Sequence, residues 1–188
     1  MDFSHYGDDA VQMAVDLINT LDRVAETDAL SDIDGLRSFL EGYEQEWGTE
    51  DFLATSLTDS HVRRVKRLRT RLRQVFEAET AEEAAETINA ILADVSATPR
   101  VSLHSADPHL HFEPLQAGPV RWLGAAAAMG LATVLVDQGI DRFGICSSHD
   151  CVDAYVDTSR NRSRRHCSTT CSNRSNVAAH RRRTAAID

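Results

Sequence analysis

The sequence predicts a mainly α fold with one small β-hairpin (α+β), an N-terminal helical domain followed by a small cysteine-rich C-terminal module. Three observations lead there. Apolar residues recur at helical spacing through most of residues 8–138. Two short stretches between positions 100 and 113 alternate side chains about a turn-rich link. All four cysteines, Cys146, Cys151, Cys167 and Cys171, fall in the last quarter of the chain. The boundary is placed so that the domain covers 1–141 and the module 142–188.

Asp8 or Asp9 can cap a first helix, whose Val11, Ala14, Val15, Ile18 and Leu21 share one face. Asn19 and Arg23, one turn apart at the apolar border, fit a surface pair better than contacts to a ligand. Ser31 with Asp34 opens a second short helix, buried through Ile33, Leu36, Phe39 and Leu40 and ended by Trp47 and Gly48. Thr58 or Asp59 caps a third, with Val62, Val65, Leu68, Leu72 and Phe76 inward. Its other side carries Arg63, Arg64, Lys66, Arg67, Arg69, Arg71 and Arg73, with Glu77, Glu79, Glu82, Glu83 and Glu86 close behind. A solvated face balanced by acidic neighbours explains that better than a second nucleic-acid surface.

Thr80 and Glu83 form a capping box opening a fourth helix, which Pro99 stops. Strands over 100–104 and 109–113 should pair through 105–108. His109 and His111 share one strand face, a pattern commoner on polar surfaces than in metal sites. Pro119 opens a long helix running to Asp137, its Ala-rich run allowing close approach of neighbours, and Gly139 ends it. The most apolar stretch, 122–136, is about five residues short of a bilayer span. The N-terminus shows no basic start or apolar run. A cytoplasmic protein without a membrane segment is therefore expected.

A chain of 188 residues with 42% apolar residues can build one ordinary core plus a small appended module. Its net charge of -9 hides an asymmetry. Residues 145–188 carry eight Arg/Lys against four Asp/Glu, or +4, leaving twelve against twenty-five, or −13, for the rest. So acidic a body repels polyanions and confines nucleic-acid contact to the module.

The cysteines follow a C-x4-C, fifteen-residue, C-x3-C layout, that of a tetrahedral zinc site drawn from two chain segments. A redox or disulfide role is the competing reading, and no C-x-x-C supports it. With thiolates at all four positions the single zinc is structural, and it should supply most of the module's folding free energy. A turn, a strand pair and a helix start around one metal make the module treble-clef-like. Arg160, Arg162, Arg164, Arg165, Arg174, Arg181, Arg182 and Arg183 surround it. They suit the phosphates of double-stranded DNA, with Asn173 and Arg174 placed for base edges; a solvated tail or a clamp onto the acidic body would use the same charges. No nucleophile–base pair, phosphate loop or open metal position is legible, so no enzyme is expected.

The stretch DTSRNRSRRHCSTTCSNR, 157–174, resembles the CGNR zinc-finger family, whose naming motif reads Cys171-Ser172-Asn173-Arg174 here. Upstream, MAVDLINT at 13–20, HLHF at 109–112 and the Ala-rich helix followed by DRFGIC are similar to the ABATE domain of that family. The resemblance covers nearly the whole chain. It implies a bacterial transcriptional regulator whose zinc module reads DNA and whose N-terminal domain senses a signal. The family's zinc ligands fall on the four cysteines, and its basic motif on Arg160, Asn161, Arg164, Arg165, Asn173 and Arg174. Implied partners are DNA, a small-molecule effector and a second copy of the chain, with Asn19, Arg23, His109 and His111 as candidate effector contacts. Ser172 replaces the family's Gly, His166 an aromatic and Asn176 a Lys. The last two losses bear on DNA affinity more than on fold. A protein-interaction module with a structural zinc clip, or an RNA-binding protein, are the competing functions.

Overall fold

One apolar helix organises the N-terminal two-thirds of the chain. The computed structural model describes residues 8–43, 56–102 and 109–185. In order these form α1 (Asp8–Asn19), β1 (Leu21–Asp22), β2 (Thr27–Asp28), α2 (Ile33–Glu41), α3 (Asp59–Glu77), α4 (Ala81–Val95), β3 (Ala97–Ser102), β4 (His109–Pro114), α5 (Pro119–Gln138), a 3-10 turn (Ile140–Arg142), β5 (Phe143–Ile145), β6 (Ala154–Val156) and α6 (Thr169–Ala185). The strands make three antiparallel two-stranded sheets, β1–β2, β3–β4 and β5–β6, so the mainly helical expectation holds.

Helices α1, α3 and α4 pack around α5. Small residues on α5 allow this: a Cβ on Gly130 would lie 3.0 Å from Ala10, and one on Gly124 would lie 2.7 Å from Val95 Cγ1. Ala125, Ala126, Ala127 and Ala128 are buried between the neighbours. By length and composition α5 could cross a bilayer, contrary to the expected shortfall of about five residues. Most of it is instead buried inside the protein, as a core helix.

Local signals set most boundaries. Asp32, not Ser31, caps α2, its Oδ1 accepting the Gly35 N–H at 2.9 Å. Thr58 caps α3, with the His61 ring nitrogen accepting the Thr58 N–H at 3.1 Å. Thr80 Oγ1 accepts the Glu83 N–H at 3.2 Å, while the Glu83 carboxylate reaches back to the Glu79 N–H. Helix α4 ends at Ser96 in a left-handed conformation (φ 52), and Pro99 lies inside β3 instead of stopping the helix. A two-stranded hairpin tolerates that proline because both strands are edges. Its register runs from Ala97↔Pro114 to Ser102↔His109, beginning three residues before the expected strand. Helix α2 ends at Glu41 with Gly42 as its C-cap, ahead of the expected stop at Trp47 and Gly48, which like the link 105–108 lie outside the described residues.

The basic side of α3 is not one solvated face. Arg69 and Arg73 are only 6% and 7% exposed, because positions 69 and 73 share the inward side with Val62, Val65, Leu72 and Phe76. Arg69 grips Asp28 with both nitrogens at 2.6 and 3.0 Å and also donates to Thr20 Oγ1 at 3.0 Å. Lys66 meets the same carboxylate at 3.1 Å, and Arg71 pairs with Asp94. Arg63 and Arg67 remain exposed.

Hydrogen bonding to the Arg69 guanidinium holds the Asp28 carboxyl well below the usual carboxylate range. A depressed folded-state pKa means that the stabilisation is complete above the unfolded value of about 4 and fades as pH falls below it. Asp28→Asn is expected to cost about 2 kcal/mol or more at pH 7 by leaving a buried guanidinium half-paired. Urea unfolding checks this, and between pH 7 and pH 3 the variant should lose less stability than the wild type.

Candidate metal centre

Past α5, Gly139 (φ 91) turns the chain into β5, and Cys146 follows directly. The Cys146 N–H donates to the Asp153 carbonyl at 2.8 Å, closing a loop that brings Cys151 back beside it. Inside that loop the Cys151 N–H donates to the Ser148 carbonyl at 3.2 Å. The second pair comes from the start of α6. Ser168 Oγ accepts the Cys171 N–H at 3.2 Å, so Cys171 occupies the first turn and Cys167 lies just ahead of it.

All four Sγ atoms lie within 4.8 Å of one another. Cys151 and Cys167 are 3.6 Å apart, and Cys167 and Cys171 are 3.7 Å apart. A zinc with four sulfurs at about 2.3 Å places each pair about 3.8 Å apart, so the donor set fits a tetrahedral ion. Electrostatics agree. Burial pushes the Cys151 thiol well above its ordinary range and the Cys167 thiol up to about 12, whereas the Ser168 hydroxyl lowers that of Cys171. A divalent cation is what allows all four sulfurs to be charged at this separation. Bound there, zinc would supply structural cross-linking; four protein sulfurs leave no position for a catalytic water. Asp153 stands behind the site, its Oδ2 accepting from Cys167 Sγ at 3.4 Å.

The neighbouring arginines divide by their partners. Arg164 braces the loop before the second cysteine pair: Nε donates to the His166 carbonyl at 2.9 Å, Nη1 to the Val156 carbonyl at 3.2 Å and Nη2 to the Cys167 carbonyl. Its guanidinium lies 5.1 Å from the Tyr155 ring centroid, and the Tyr155 hydroxyl donates back to the Arg164 carbonyl at 2.7 Å. Arg174 pairs with Asp150, tying α6 to the first cysteine loop, and Arg162 pairs with Asp141 at 3.4 Å. Arg160, Arg165, Arg181 and Arg183 are exposed and have no side-chain acceptor among the described residues. Asn161 and Asn173 are exposed as well. The side chain of Arg182 lies outside the described residues.

Of the four expected effector contacts, the two whose side chains are described, Asn19 and Arg23, have other partners. Both bonding groups of the Asn19 amide are used on the Ala154 backbone, at 2.9 and 2.8 Å. Arg23 meets Glu77 at 3.6 Å instead of Asn19. The side chains of His109 and His111 lie outside the described residues. Ser172 is helical within α6, where a glycine has no conformational advantage.

Two residues that sequence reasoning passed over hold the module's centre. Asp157, only 3% exposed, accepts the Ser159 N–H at 2.7 Å and the Arg164 N–H at 2.9 Å. Burial opposes its charge, but those donors prevail and hold the carboxyl below its usual range. Arg142 Nη1 donates to the carbonyls of Asp157 and Ser159 at 2.8 and 2.7 Å. The available signal was an Asp and an Arg flanking a short strand pair, which is too common a pattern to single them out.

A four-sulfur cluster on a β-hairpin and a helix start, joined to a helical domain, defines a zinc-finger protein of two parts. Comparison with family models agrees: residues 142–184 match the CGNR zinc finger. Residues 12–138 match ABATE, described as "Putative stress-induced transcription regulator". That match spans more than half of the chain, so the protein belongs to the ABATE family and carries a CGNR zinc finger after it. No curated protein matches the chain.

Metal analysis of the purified chain should find about one zinc per molecule. Cys171→Ser should reduce that figure several-fold and lower the helical circular dichroism contributed by α6, because metal ligation and folding of so small a unit are one process.

Proposed function

We propose that the protein is a cytoplasmic, non-enzymatic transcriptional regulator that binds double-stranded DNA through its zinc module. The observation carrying this reading is the set of exposed cations on the zinc-organised surface, Arg160, Arg165, Arg181 and Arg183, none with a carboxylate partner among the described residues. Helix α6 adds support. It has exposed polar residues on most of its length, so it gains little from tertiary packing and suits a polyanionic partner. Asn161 and Asn173 are the neutral donors and acceptors available beside these charges for base edges.

In this reading Arg164 and Arg174 act inside the module, and the free arginines act on phosphate. The alternative, in which the tail arginines clamp the acidic body, is not favoured by the contacts between the two parts. Those contacts run through Asn19, Arg73 and Phe76 of the helical domain, and among the described residues Arg162 alone of the module's exposed arginines meets an acid there, Asp141 at 3.4 Å. For an effector, an open depression between α1 and α2, lined by Gln12, Asp16, Phe39 and Tyr43, is a better place than the surroundings of Asn19. RNA binding is tested by direct competition against DNA.

Fluorescence anisotropy with duplex DNA at increasing salt tests the reading. With about four phosphates neutralised, log affinity should fall against log salt with a slope of about −3.6. Changing Arg160, Arg165, Arg181 and Arg183 together to Gln should remove most of that slope while the zinc content stays at the wild-type level. A salt-independent affinity, or one unchanged in the fourfold variant, contradicts it.

A further inference from the structure

Strand β6 is where the zinc module meets the helical domain, and its hydrogen bonds sort by parity. Towards β5, the Cys146 N–H donates to the Asp153 carbonyl at 2.8 Å and the Asp157 N–H to the Arg142 carbonyl at 2.7 Å. Odd-numbered residues therefore bond β5, and antiparallel pairing turns the polar groups of Val152, Ala154 and Val156 to the opposite edge. Side chains meet all three carbonyls there: Arg73 Nη2 at Val152 (2.9 Å), Asn19 Nδ2 at Ala154 (2.9 Å) and Arg164 Nη1 at Val156 (3.2 Å). Asn19 Oδ1 also accepts the Ala154 N–H at 2.8 Å. Its carboxamide thus makes the two bonds that a peptide of a third strand would make.

Two of those three side chains come from the helical domain. Arg73 is fixed by its Nε donating to Glu77 at 2.6 Å. Ala154 and Val156 belong to the same buried cluster as Leu17, Leu72 and Leu131. Phe76 meets Phe143 edge-on, with ring centroids 5.1 Å apart. A hairpin of three-residue strands has no stability of its own, and a buried strand edge without partners is costly. Docking on α1 and α3 answers both demands, and Val152 is the residue next to Cys151.

We propose that Asn19 and Arg73 are positioning residues for the zinc site. They hold the outer edge of β6, and with it the loop between Cys146 and Cys151, so that metal occupancy and the folding of the ends of α1 and α3 are coupled. The proposal rests on zinc ligation by the four cysteines. Coupling is reciprocal: whatever shifts the last turn of α1 changes zinc affinity, and zinc steadies that turn. The helical domain thereby has a direct mechanical route to the zinc module.

Three measurements on the full chain test this. Zinc content comes first; about one per chain supports the premise, and none overturns the zinc reading together with the proposal. Amide hydrogen exchange is then compared between zinc-loaded and chelator-treated wild type. Faster exchange after chelation is expected in residues 142–171 and also in 17–20 and 73–77. A change confined to 142–185 overturns the coupling while leaving zinc ligation intact. Finally, Asn19→Ala and Asn19→Asp should lose zinc to a chelator about tenfold faster than wild type. Arg63→Ala, at an exposed position near the start of α3, should keep the wild-type rate. Equal rates in wild type and Asn19→Ala overturn the proposal, and the wild-type exchange experiment decides it if the Asn19 variants fail to fold.

Discussion

Four sulfurs drawn within 4.8 Å of one another are the constraint on which the C-terminal part depends. Between Phe143 and Cys171 the chain has only two three-residue strands and the first turn of a helix, too little apolar surface to fold by burial alone. Joining the two cysteine pairs fixes the loop after β5 against the start of α6. The intervening segment is then held by polar bonds, chiefly those of Asp157, Arg142 and Arg164.

The module's described arginines fall into two groups. Arg164 satisfies carbonyls that the irregular loop leaves open, and Arg174 pairs with Asp150 across the cysteine site. Such bonds belong to the fold, and the planar fork of arginine suits them better than lysine would. Arg160, Arg165, Arg181 and Arg183 project into solvent with their charge uncompensated among the described residues. With −13 on residues 1–144, a proposed polyanionic partner would meet its attraction chiefly at these few groups.

Much of this was legible in the sequence because it has a short period or a fixed spacing. The inward stripes of α1, α3 and α4, the capping residues Thr58 and Thr80, the hairpin and the four ligands all follow from residues a few positions apart. What stayed hidden depends on partners distant in sequence. Asn19 resembles any polar residue at a helix end until Ala154, 135 residues away, is placed beside it. Arg69 and Arg73 look like members of a basic face because their type outweighs their position in a reading of periodicity. Their inward location became legible only with Asp28 and Val152 in place. Pro99 misled for a local reason, since Ser96 ends α4 by adopting a left-handed conformation before the proline is reached.

X-ray absorption at the zinc edge of the purified chain probes the metal's surroundings most directly. Four sulfur neighbours at about 2.3 Å, with no lighter atom in the inner coordination sphere, are expected. A nitrogen or oxygen ligand in place of one or more sulfurs would contradict the closed, purely structural site.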